Sequence, residues 1–315
     1  MSVALERQLL FVTGKGGVGK TTVAAALGLL SAAQGRRTLV CEVDAKGSLA
    51  GAYECPALAF KPREVEPRLF AMTMDTEGSL REYLALQLRL PLVARIGPLA
   101  RTLDFVASAA PGVREILTVG KLCYEVREQH YDRVIVDAAA SGHVIGQLTA
   151  PQTINELVQV GIVRDQTAWM LEILDDPART GAVIVASPEE IPVRETIELA
   201  ERLRTETDID LAAVIVNRVL PELFGRGEEA LFEKLRTGAA LDTLRAAAGP
   251  GVDTVFDGAR LAVTLRRARA EHLETLRAEL APAVPVLYVP ELFARTHGRR
   301  VTAMVAHALG EELST

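Results

Sequence analysis

Gly14-Lys15-Gly16-Gly17-Val18-Gly19-Lys20-Thr21 constrains this chain more than any other stretch of its 315 residues. An apolar run at 9–13 precedes it, and Val23, Ala26, Leu27, Leu30 and Ala33 follow at helical spacing until Gly35 stops them. Strand, glycine-rich turn and helix in that order make a phosphate loop. The glycines let the backbone wrap a phosphate so that successive N–H groups converge on its oxygens, and the helix amino terminus adds partial positive charge. The cradle comprises Gly14, Lys15, Gly16, Gly17, Val18, Gly19 and Lys20, with the Lys20 ammonium aimed at the β- and γ-phosphates. The Thr21 hydroxyl suits Mg2+, and Thr22 suits an α-phosphate oxygen. Lys15 is not required by the basic pattern; taken alone, it is either a second phosphate ligand or a solvated side chain.

Runs rich in Val, Ile and Leu recur at 9–13, 38–43, 69–74, 133–137, 182–186, 213–217 and 286–289, with helix-length segments between them. Continuous apolar character is what a parallel sheet covered on both faces requires. The expected class is therefore α/β, a largely parallel sheet of about seven strands flanked by helices. Two stretches, 78–130 and 221–282, break the alternation with amphipathic helices and are assigned to an inserted helical subdomain. No repeat or linker separates independent units, so residues 1–315 are expected to form one composite domain.

The balance of the chain excludes several classes. A net charge of -6 gives no basic footprint for nucleic acid. Cys41, Cys55 and Cys123 are too scattered for a disulfide framework, a CxxC pair or a four-cysteine zinc site, and fit a reducing, cytoplasmic compartment. The amino terminus lacks the basic and apolar regions of a signal peptide, and the apolar stretch at 23–33 is too short to span a bilayer.

With Lys15 as signature lysine, the loop resembles that of the deviant-phosphate-loop ATPases, and the chain is most similar to the ArsA family of anion-pump ATPases and their relatives that target tail-anchored membrane proteins. The resemblance implies ATP and Mg2+ as cofactors. It also implies a dimer, homomeric or formed with a related ATPase, in which Lys15 reaches the partner's nucleotide as an arginine finger would. Val43-Asp44-Ala45-Lys46-Gly47-Ser48-Leu49 resembles the family's first switch, which makes Asp44 the candidate for orienting the attacking water. The family usually reads Asp-Pro-Ala-His there. Lys15, Lys20 and Asp44 thus form the candidate catalytic set.

Val134-Ile135-Val136-Asp137 ends an apolar strand in a carboxylate, the position of a group that holds Mg2+ beside Thr21; a strand-end cap is the alternative. Ala138-Ala139-Ala140-Ser141-Gly142-His143 is similar to the second switch without its usual Thr and Pro. Asn217 resembles the family's adenine-reading residue, with a turn-capping role as the alternative. Pro290, Glu291 and Leu292 match the position of the loop that packs along the base.

The client implied is an anion transporter or a membrane protein. The cysteine positions do not resemble an arsenite-binding set. A stripe of Leu80, Leu84, Leu88, Leu92, Val93, Ile96 and Leu99 fits either a client groove or an internal helix core. The reading to which these features lead is a dimeric Mg-dependent nucleotide switch. Its alternative is a weakly active or inactive ATP-binding subunit of a heteromer.

Overall fold

A computed structural model describes residues 5–44, 46–88, 112–157, 160–225, 227–293 and 298–314. The apolar runs become β1 Leu9–Gly14, β2 Thr38–Glu42, β4 Leu69–Thr73, β5 Arg133–Asp137, β6 Thr180–Ala186, β7 Leu211–Val219 and β8 Val286–Pro290. An additional strand, β3 Arg63–Glu66, completes an eight-stranded sheet in the order β3-β4-β2-β5-β1-β6-β7-β8. Every neighbouring pair is parallel except β3 with β4. The extra strand departs from the expected seven for a physical reason: Arg-Glu-Val-Glu is charged, and such a sequence suits an exposed sheet edge rather than a buried run.

The sheet is covered on both faces, and alternate residues of each strand divide between two cores. Leu9, Phe11, Leu39, Cys41, Val134 and Val136 face one core; Leu10, Val12, Val40, Ile135, Val183 and Val185 face the other. The second core is closed by α1 Lys20–Ala33, α2 Ser48–Tyr53 and the carboxyl-terminal helix α11 Arg299–Glu312. The first is closed by α4 Val113–Arg127, α5 Ser141–Leu157, α6 Ile162–Leu174 and α7 Glu190–Glu206. Ahead of α4 runs α3 Thr76–Leu88, tied to it where the buried Lys121 ammonium meets Glu82 at 2.7 Å and Glu125 at 2.5 Å. Leu92, Val93, Ile96 and Leu99 of the leucine-rich stripe lie outside the described residues, as does Ala45.

Between β7 and β8 the chain forms α8 Glu228–Leu235, α9 Gly238–Ala248 and the 30-residue α10 Gly251–Leu280. Among the residues of α10 only Leu276 and Leu280 are buried, so most of its length, about 45 Å at the usual rise per residue, is not held by the main cores. A small aromatic cluster joins Phe232 of α8 to Phe256 of α10 and to Phe224 of the preceding loop. Because β1, β2, β5, β6, β7 and β8 are parallel, their carboxyl ends share one edge of the sheet, where ligands of open α/β folds bind.

Candidate nucleotide site

Gly14 ends β1 with φ 143, and a Cβ there would lie 2.2 Å from the Val185 carbonyl oxygen of β6, so no larger residue fits this close crossing. At the other end of the loop Gly19 has φ 97, and its hypothetical Cβ would lie 2.4 Å from Asn217 Nδ2. The intervening backbone reaches α1 at Lys20. Thr13, buried behind the loop, donates its hydroxyl to the Ala139 carbonyl at 2.9 Å and so joins β1 to the segment that leads into α5.

Asp137 closes the metal side of this cradle. Its Oδ2 accepts the Thr21 hydroxyl at 2.6 Å, although the two residues are 116 apart in sequence. Burial pushes the Asp137 carboxyl up to about 6; the Thr21 bond and Lys20 oppose that push, while Glu42 and Asp44 add to it. Burial also lowers the Lys20 pKa, against the attraction of Asp137, and its Nζ lies 3.3 Å from the Lys15 carbonyl oxygen. A hydroxyl and a carboxylate are hard oxygen donors. Mg2+ characteristically takes one or two such protein ligands together with substrate phosphates and water, so the pair fits that ion. Bringing a cation here would also relieve the cost of ionising Asp137 away from water.

The remaining sequence-derived residues are distributed around this centre. Thr22 lies one step along α1, beside a cleft of about 310 Å³ lined also by Thr21, Ser48, Glu54, Gly298 and Thr302. Asp44 is exposed just past β2, where Lys46 pairs with it at 3.2 Å; the Asp44 charge raises the Lys20 pKa and the Lys46 charge lowers it. Asn217 is buried at the end of β7 with its amide already engaged: Nδ2 donates to the Val18 carbonyl at 2.9 Å and Oδ1 accepts the Arg218 N–H at 3.0 Å. These bonds make Asn217 a strut beneath the phosphate loop, and they leave one amide hydrogen for a base edge. Pro290 ends β8, the Glu291 N–H donates to the Val219 carbonyl at 2.8 Å, and Leu292 packs against the second core.

Two acidic residues near the site were given no role from sequence. Lys15 is not folded into its own cradle; its ammonium pairs with Glu195 on α7, and the other Glu195 oxygen is enclosed without a partner among the described residues. Glu195 also lines an open hollow of about 680 Å³ along α7 with Ile191, Arg194 and Glu198. Glu42, only 2% exposed, ends β2 directly opposite Asp137 in the strand register. A single Glu closing an otherwise apolar strand was the signal for Glu42. For Glu195 no local signal exists, because its pairing spans 180 residues.

Comparison with known proteins identifies the family. A family model described as anion-transporting ATPase matches residues 7–170 and 162–236. ATPase BagA of Mycobacterium tuberculosis is 31% identical over 225 residues, covering 68% of this chain and 66% of that protein. The arsenical pump-driving ATPase of Acidiphilium multivorum is 27% identical over 239 residues, covering 68% of this chain and 40% of its own length. ATPase GET3 of Podospora anserina is 29% identical over 152 residues, covering 48% and 44%. The chain thus spans just under two thirds of the mycobacterial relative and less than half of the other two. It belongs to the anion-transporting, or ArsA, ATPase family.

Proposed function

We propose that this member of the ArsA family binds MgATP at residues 14–21 and hydrolyses it to ADP and phosphate, working in the cytoplasm as a dimeric switch coupled to a client. The observation that carries the nucleotide reading is the 2.6 Å contact of Thr21 with Asp137, which assembles a metal-binding pair at the mouth of a glycine cradle. Bound Mg2+ would supply charge neutralisation at the phosphates. Lys20 stabilises charge on the transferring group and Asp44 orients the water; backbone N–H groups of the loop and the Thr22 hydroxyl position the phosphates. Asn217, Pro290, Glu291 and Leu292 frame the base.

Lys15 supports the dimer. Its pair with Glu195 is partly exposed, at 41% and 32%, and a pair of that kind is worth about 0–1 kcal/mol. A cation placed on a transferring phosphoryl group is worth about 10³–10⁵ in rate, roughly 4–7 kcal/mol. The pair with Glu195 is weak enough for Lys15 to leave it for a partner's nucleotide, where its charge would act on the transition state.

The client reading rests on the helices within 78–130 and 221–282, part of a single composite domain. Val255, Leu261 and Leu265 of α10 are exposed at 72%, 59% and 42%, apolar surface that a protein client would cover. Arsenite is disfavoured as the anion, because burial pushes the Cys41 and Cys123 thiols far up and neither offers a thiolate. Among the described residues no helix is long and apolar enough to cross a membrane, so a membrane-protein client would supply its own span.

Steady-state phosphate release tests the catalytic roles. Lys20→Ala and Asp44→Asn should each abolish release while the fold survives; release by Asp44→Asn equal to wild type would remove the role given to Asp44. A second reading, an ATP-binding subunit completed by a related chain, is favoured by two contacts within one chain, Lys15 with Glu195 and Asp44 with Lys46. Tight ATP binding without Lys20-dependent release would select it.

A further inference from the structure

The loop that carries Asp44 is closed at its base by its own flanking side chain. Glu42 Oε1 accepts the Ser48 N–H at 2.9 Å, bridging six positions, and Oε2 lies 3.5 Å from the Thr73 hydroxyl. Main-chain bonds fix the other end: the Val43 N–H donates to the Asp137 carbonyl at 3.1 Å, and the Met74 N–H to the Glu42 carbonyl at 2.8 Å. Between these anchors no proline restricts the chain, and Gly47 has φ 74. Among the described residues the ion pair of Asp44 is with Lys46, whose side chain is 71% accessible, so the pair is screened by salt.

We propose that Glu42 is a positioning residue for turnover, holding the Ser48 N–H so that the loop is closed and the Asp44 carboxylate stays beside the phosphate loop. This rests on the reading of Asp44 as the group that orients water. The clamp requires an acceptor at the Glu42 position and not a charge. Glu42 also stands in register with Asp137, so the competing account is that its negative charge acts on the metal pair. The two accounts separate at Glu42→Gln, whose amide oxygen still accepts the Ser48 N–H but carries no charge.

The test compares Glu42→Ala and Glu42→Gln with wild type in two measurements: amide hydrogen exchange across residues 43–49, and the kcat and KM for MgATP. Glu42→Ala is expected to lose exchange protection and to lower kcat by about ten- to a hundredfold, the cost of a misplaced catalytic group, with KM changed less than about twofold. Glu42→Gln is expected to restore both protection and most of kcat. A Gln variant as slow as the Ala variant would overturn the proposal in favour of the charge, and a loosened loop with unchanged kcat would overturn it too. Should Glu42→Ala not fold, Glu42→Gln decides alone, since near wild-type kcat supports the clamp and a large loss contradicts it. Absence of Lys20-dependent hydrolysis in the wild type would instead sink the ATPase reading, and the exchange measurement would still decide the clamp.

Discussion

Asp137 is ionised in water near 3.8 but in the fold only near 6, chiefly because it is buried. Between those values the folded chain holds a proton that the unfolded chain has released, so this group's contribution to stability is intact below about 3.8 and is lost as pH rises through about 6. Asp137→Asn, neutral at every pH, should therefore gain on wild type as pH rises from 4 to 7 without nucleotide or Mg2+, by up to about 3 kcal/mol in denaturant unfolding. A difference between the two proteins that does not change with pH would contradict this account. At Glu195 the prediction concerns assembly. Glu195→Gln releases Lys15 from a pair worth at most about 1 kcal/mol, twice per dimer, so the protein concentration for half-maximal turnover should fall by up to about thirtyfold; a rise would show that the pair assists association. Gly14, Lys20, Thr21 and Asp137 could be read from sequence because each sits at a strand end or a motif position. Glu195 could not, since its pairing with Lys15 crosses 180 residues; for Glu42 the sequence shows a lone acid closing an apolar strand, and only the fold adds its bond to the Ser48 N–H.

Within the elements, α1 both presents the phosphate loop and packs directly on the sheet. Gly28 permits that packing: a Cβ there would lie 2.6 Å from Val40 Cγ2 and 2.7 Å from the Tyr53 hydroxyl, which itself donates to the Ala25 carbonyl at 3.0 Å. Gly28→Ala should destabilise the protein by about 1–3 kcal/mol, overcoming the roughly 1 kcal/mol that alanine gains in helix propensity. Thermal unfolding checks this, and a higher melting temperature would show that α1 shifts freely on the sheet. The seven apolar strands were legible because burial on both faces leaves a continuous hydrophobic record. β3 was not, because charged Arg63 and Glu64 sit at an exposed edge and bury little. Asn217 shows a different limit: its residue type allowed either a base contact or a cap, and only the fold places Val18 within 2.9 Å of its amide.

At the scale of the whole molecule, ATP should draw two copies together so that Lys15 leaves Glu195 for the partner's phosphates. Under the proposed switch each protomer would carry a site that is incomplete alone, and hydrolysis, by removing the γ-phosphate that Lys15 would hold, would release the dimer to act on its client. Such a switch ties catalysis to association, which gives it a concentration dependence that a self-sufficient monomer lacks. The most direct test is steady-state phosphate release per protomer over a wide range of protein concentration, for wild type and Lys15→Ala, with ATP binding measured alongside. Turnover by the wild type should climb with concentration to a plateau, whereas Lys15→Ala should stay slow throughout while still binding ATP. Constant turnover from a strictly monomeric wild type, or full turnover by Lys15→Ala, would contradict the dimeric switch.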